Sequence, residues 1–177
     1  MGEPESTVAA RLGCPASIIL PLEALGIVGG PVLPQTMLTQ RARYALHAML
    51  FLAGRDGSAT VAEIAEAERI PRKFLEQILA SLKTRGLVLG KRGPTGGYKL
   101  GRAPSAISFA DILRCIDGPL ALAPCASQMA YSPCPDCISV ETCAIRPVLL
   151  AVRDTTALLL EGISLQEALG GARLSFL

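Results

Sequence analysis

Aromatic residues are scarce in this 177-residue chain, with no tryptophan, three tyrosines and four phenylalanines. A surface that stacks single-stranded bases needs a series of aromatic platforms, so that mode of nucleic-acid binding fits poorly. Histidine occurs once, at His47, where a helix-surface or packing role outweighs ligation. No Ser/His/Asp or Cys/His set can be assembled around it, and no paired carboxylates share an apparent pocket, so the chain reads as a non-enzyme. Long apolar runs are missing too. The stretch from Ala16 to Leu33 is broken by Pro21, Glu23, Gly29, Gly30 and Pro31, too interrupted to span a bilayer and unlike a secretory leader. The expectation is a cytoplasmic protein with no membrane partner. In that reducing setting, clustered cysteines read as metal ligands or redox groups before disulfides.

What the chain does have is an uneven charge distribution. Its formal net charge is only +2, yet residues 37–102 carry 12 Lys/Arg against 5 Asp/Glu. Residues 1–36 and 103–177 are both net acidic. A local basic excess of this size is the footprint of a polyanion binder, with a solvated basic face as the bland alternative. Composition shifts at the same places. Residues 1–36 are poorly patterned and rich in Gly, Pro and Ala, an N-terminal extension, with Met37 as an alternative start. The length suits one domain with an appendage.

From Leu38 to Ala53, apolar residues recur at helical spacing. Thr60-Val-Ala-Glu63 is a capping box that opens a short helix through Arg69. Pro71 suits the first turn of a third helix, which places Phe74, Leu75, Ile78, Leu79 and Leu82 inward. Leu87–Gly90 and Tyr98–Leu100 predict a hairpin around Arg92-Gly93-Pro94-Thr95-Gly96-Gly97. Ser108-Phe-Ala-Asp111 caps a helix to Ile116, which carries Cys115 as a packed small hydrophobe. A Pro- and Cys-rich loop covers 119–138. A long helix is expected from about Ser139 to Gly162, with Ile145, Val148, Leu149, Val152, Leu159 and Ile163 inward. Leu150, Leu158 and Leu160 widen its apolar surface, as expected of a helix buried partly against a second subunit. Ser164-Leu-Gln-Glu167 caps a final short helix. The expected architecture is mainly α with a small β-hairpin wing: a winged helix-turn-helix over 37–102, then a cysteine-containing sensor loop and dimerisation helices over 103–177.

In such a domain the third helix enters the major groove with its N-terminal end leading. Arg72 and Lys73 can then donate to guanine or phosphate, Gln77 can pair with adenine, and Glu76 can accept from cytosine N4. An ordinary solvated helix residue is the competing reading of Glu76. Lys91 and Arg92 sit at the hairpin tip, followed by Gly93 and Pro94. Glycines allow close backbone approach, and arginine favours the negative minor groove. A nucleotide-phosphate loop is discounted, because no Gly-Lys-Ser/Thr closes the run and a strand follows rather than a helix.

The segments Met37-Leu-Thr-Gln-Arg-Ala-Arg-Tyr44, Phe74-Leu75-Glu76-Gln77-Ile78-Leu79 and Arg92-Gly93-Pro94-Thr95-Gly96-Gly97-Tyr98 together resemble the IscR/NsrR/RirA regulators, the Rrf-two family. The resemblance spans 37–169. It implies a homodimer on a pseudo-palindromic double-stranded operator, with Glu76 reading bases and the Arg92–Pro94 wing in the minor groove.

Six cysteines are present, and Cys125, Cys134, Cys137 and Cys143 fall within 19 residues. Thiolates this close in a loop can converge on one soft metal centre. Cys137 and Cys143 resemble the last two cluster ligands of the family. Cys125 matches the first only with an insertion, and Cys134 competes for that place or adds to it. The fourth ligand does not transfer, because Arg146 stands where IscR-like members offer a His and Arg43 where NsrR-like members offer an Asp. The resemblance implies an iron–sulfur cluster, 2Fe-2S or 4Fe-4S, that senses iron, redox state or nitric oxide, in a repressor or an activator. Zinc on four thiolates is the structural rival. A metal-free thiol regulator and a redox protein that does not bind DNA are the remaining alternatives.

Overall fold

In the computed structural model, residues 38–91, 93, 96–135 and 137–171 are described. The expected N-terminal extension, and Arg92 and Pro94 at the wing tip, lie outside them. Three helices come first: α1 (Gln40–Ala53), α2 (Val61–Ala67) and α3 (Arg72–Thr84). A hairpin of β1 (Val88–Lys91) and β2 (Gly97–Leu100) follows, then α4 (Phe109–Ile116), α5 (Arg146–Glu161) and α6 (Leu165–Leu169). Short 3-10 turns at Pro104–Ala106 and Pro124–Ala126 complete the order.

Local chemistry fixes most of these boundaries. Thr60, Ser108 and Ser164 each accept from the backbone amide three residues on, and Glu63, Asp111 and Glu167 each reach back to the capping residue's own amide. These three reciprocal caps satisfy amides that the helix starts would otherwise leave unpaired. Thr39 caps α1 and also donates to Asp117 at 2.6 Å, which ties the start of α1 to the end of α4. The chain turns from α2 to α3 through Arg69, at φ 53°. Ile70 N donates to Ala65 O at 3.0 Å, and Arg69 N to Glu66 O at 3.4 Å. This is the Schellman pattern that ends helices on a left-handed residue, a position glycine usually holds.

Leu75, Ile78, Leu79 and Leu82 on one side of α3 are fully buried. They meet Ala45, Ala48, Met49 and Leu52 of α1, Ile64 of α2, and Leu87 and Val88 at the hairpin base. Ile107, Ile112 and Leu165 belong to the same cluster, so α4 and α6 share the core of the first three helices. A paired bridge beside the two serine caps, Phe109 N to Ile163 O and Leu165 N to Ile107 O, both at 3.0 Å, holds α4 and α6 together. The hairpin is antiparallel, with Val88 opposite Leu100 and Lys91 opposite Gly97. Tyr98 also bridges Ala59, which locks the wing base to the entry of α2.

The long helix differs from expectation in two ways. It starts at Arg146 rather than near Ser139, because Pro147 lacks an amide proton and suits only a first turn. The inward set is also not buried: α5 has no buried residue, and Ile145 and Val148 are 67% and 63% exposed. No helix among the described residues is long and apolar enough to cross a membrane.

Candidate functional site

Two sites emerge, one on α3 and the hairpin, the other on the loop before α5. On α3 the buried leucines and isoleucine leave Arg72, Lys73, Glu76 and Gln77 exposed on the opposite face. None of these four side chains makes a hydrogen bond or ion pair among the described residues. Long charged side chains with no internal partner keep their hydrogen-bonding capacity for a ligand. Arg72 and Lys73 occupy the first turn of α3, and Pro71 precedes it without a side-chain cap, so the Arg72 and Lys73 amides also stay open, while those of Phe74 and Leu75 donate to Pro71 O at 3.0 Å. Lys91 ends β1 at the wing tip and is exposed, as is Gly93, whose φ of 121° is glycine territory. The α3 set and Lys91 thus lie on the two parts of a helix-plus-wing surface.

The loop brings together the other candidates. Cys125 is buried in the Pro124–Ala126 turn, while Cys134, Cys137 and Cys143 are half-buried. The Cys125 thiol is pushed up in pKa, first by its hydrogen bond with Cys134, then by burial and the nearby Cys134 and Cys143 thiols. Cys137 is pushed up by burial, by Cys143 and Cys134, and by a hydrogen bond with Cys143. Cys134 and Cys143 therefore lie within electrostatic reach of both Cys125 and Cys137, and the Cys125 and Cys137 thiols resist becoming thiolates. A soft cation among them would reverse that resistance, so the donor set fits a metal or iron–sulfur group chemically. Among the described residues, however, no three Cys, His, Asp or Glu groups stand in metal-ligating geometry.

Arg146 has a definite role here. Its Nε donates to Cys125 O at 3.2 Å, and Arg153 Nη1 donates to Ala126 O at 2.7 Å. Two guanidiniums on α5 thus hold the turn that carries Cys125 against that helix. A guanidinium has no free lone pair at neutral pH, so Arg146 positions the loop and cannot ligate. Arg43 on α1 donates to Gln40 and does not ligate either. Sequence reasoning missed the Arg146–Arg153 clamp, although the seven-residue spacing of two arginines, two turns apart on one helix face, was there to find it. His47 is exposed and pairs with Glu68 at 3.0 Å, bridging α1 and α2. Cys115 is half-buried against the core, with its Sγ donating to Ser81 O at 3.5 Å.

Residues 38–170 match the family described as Rrf2, an iron-dependent transcriptional regulator. An Rrf2-like HTH-type transcriptional regulator of Rhodobacter capsulatus is 41% identical over 138 residues, 75% of this chain and 92% of the relative. Among solved structures, CymR, described as the global cysteine regulator of B. subtilis, superposes with a TM-score of 0.62 at 26% identity. The match covers 78% of this chain and 99% of CymR. T. potens IscR gives 0.59 at 27% identity, over 81% and 93% of the two chains.

Proposed function

Because the chain belongs to the Rrf2 family of transcriptional regulators, we propose that it binds a double-stranded operator as a homodimer whose affinity is set by an iron–sulfur cluster on the cysteine loop. The observation that carries the DNA half is the exposed, unpaired set Arg72, Lys73, Glu76 and Gln77 on the leading half of α3. Arg72 and Lys73 engage phosphates or guanine, and Glu76 and Gln77 read base edges. Lys91, Arg92, Gly93 and Pro94 form the wing contact in the minor groove. The dimer half rests on α5 and its N-cap, where the apolar Ile145, Val148, Val152 and Leu158 stand exposed in a single chain. An isologous contact between two such helices covers them and sets two recognition helices at half-sites one DNA turn apart.

Cys125, Cys134, Cys137 and Cys143 would hold the cluster. When bound, it supplies a centre that iron supply, oxygen or nitric oxide can alter. The chain's own part is mechanical. The loop lies between α4, which packs in the same core as α3, and α5. Ordering or releasing the thiols therefore biases the placement of α5 relative to the recognition helices. The protein works in the cytoplasm in this reading.

A second reading has specific support. Cys125 with Cys134, and Cys137 with Cys143, stand as two hydrogen-bonded thiol pairs, and one structural neighbour is described as a cysteine regulator. Anaerobic purification with absorption spectroscopy and metal analysis separates the readings. Visible charge-transfer bands with bound iron and sulfide support the cluster. Colourless protein with stoichiometric zinc, or with neither metal, replaces it by the zinc or thiol form.

A further inference from the structure

A cavity of about 230 Å³ opens where α3, the residues after β2, α4 and the cysteine loop meet. Three guanidiniums reach it from three separate elements. Arg85 caps the far end of α3, Arg102 follows β2, and Arg114 lies on α4. Leu87, Asp111, Cys115 and Met129 complete the wall. The cavity is distinct from the DNA-facing set. Arg85 stands 13 residues beyond Arg72, which is roughly 20 Å along a helix axis.

The charges facing this space are not balanced within the protein. Arg85 makes no side-chain hydrogen bond or ion pair among the described residues. Arg102 stands 3.8 Å from Asp111, a long pair whose partners are 46% and 38% exposed. Arg114 is bound to Glu161. Three cations therefore meet two carboxylates. Arg85 also lies near enough to Cys115 to act on its thiol, so its charge is felt inside the cavity. Planar guanidiniums recognise carboxylate and phosphate groups through paired N–H donors.

We propose that this cavity binds a small doubly charged oxyanion of the phosphate-monoester or dicarboxylate class. The size agrees, since the space far exceeds the roughly 10–15 Å³ that one water requires and has room for a small organic anion. Such a ligand meets the end of the recognition helix at Arg85 and the cysteine loop at Met129. The site does not depend on any cluster being present.

The test is calorimetric titration of the full chain with inorganic phosphate and, separately, with succinate, each against sodium chloride of equal ionic strength. Saturable binding of one equivalent of either probe is expected, and the probe that binds names the class. Arg85→Ala and Arg114→Gln should each weaken it at least tenfold while leaving the far-UV spectrum unchanged. Absence of binding by both probes, or binding that survives both substitutions, overturns the proposal.

Discussion

Gly97→Ala is a substitution whose cost can be worked from backbone atoms alone. Gly97 opens β2, and a Cβ built there would lie 2.6 Å from the Ala59 carbonyl oxygen and 2.8 Å from its carbon. Both are main-chain atoms, so no side-chain rotation relieves the clash. The same oxygen accepts from Tyr98 N at 2.7 Å, and Ala59 N donates to Tyr98 O at 2.8 Å. Carbon–oxygen contacts settle near 3.3–3.6 Å, so the strands must part by roughly 0.8 Å. That displacement carries both hydrogen bonds to the edge of useful length. At about 0.5–1.5 kcal/mol net each, their loss amounts to about 1–3 kcal/mol. For a domain of this size, about 2–4 °C per kcal/mol gives a fall in Tm of roughly 2–12 °C. The contrast is Gly54→Ala. Its nearest new contact is an ordinary 3.5 Å to Leu50 O at φ −84°, and it should change Tm little. Circular-dichroism melts of the two variants, with amide exchange at Ala59 and Tyr98, provide the assay. A Gly97→Ala protein melting within 1 °C of the parent, with both amides still protected, would refute the reasoning.

Lys73→Ala should weaken binding to all DNA sequences alike and reduce the salt slope of log K by about 1, as for one lost phosphate contact. Glu76→Ala should relax discrimination at one base position by about 1–3 kcal/mol, read by competition with single-base variants of a selected duplex; an unchanged preference would leave Glu76 as a solvated helix residue. Val148→Asp changes a side chain that is 63% exposed in the single chain. It should leave the fold intact and dissociate the dimer in sedimentation; an undisturbed dimer would move the interface off α5. The Glu63 carboxylate accepts from the Thr60 backbone amide and hydroxyl, which hold its pKa below the ordinary 4.5. A depressed carboxylate stabilises the fold above its unfolded-state value, and that contribution is lost as pH falls through the folded-state value. Glu63→Gln should therefore flatten the acid limb of the stability curve below about pH 4.5 and leave its slope near neutrality unchanged.

Much of the fold is legible because it is written locally. Thr60, Ser108 and Ser164 announce helix starts through bonds three residues away, and the α3 stripe at Leu75, Ile78, Leu79 and Leu82 fixes which face turns outward. The exposure of Arg72, Lys73, Glu76 and Gln77 follows from that stripe alone. The start of α5 was legible too, had Pro147 been weighed against the apolar periodicity. The environment of α5 was not. Val148 and Val152 match a core pattern, but among the described residues they remain 63% and 37% exposed, and a sequence pattern cannot distinguish a subunit core from an interface. Arg69 is hidden for another reason: a left-handed arginine breaks the glycine habit of that position. The meeting of Arg85, Arg102 and Arg114 joins residues 29 positions apart and depends wholly on how α4 packs against α3. The cysteines were found by spacing, whereas the arginine clamp from α5 onto their loop became visible only in the structure.

The central claim is that the cysteine loop governs DNA affinity. It is tested most directly by measuring fluorescence anisotropy of one duplex, selected from a randomised pool, with the same protein preparation before and after anaerobic cluster reconstitution at fixed salt. Linkage between two sites is typically about 1–3 kcal/mol, so the account predicts dissociation constants that differ roughly 5- to 150-fold in the parent and coincide in the Cys137→Ala/Cys143→Ala protein. Identical constants for the parent in both states, with the cluster verified by its absorption, would contradict it.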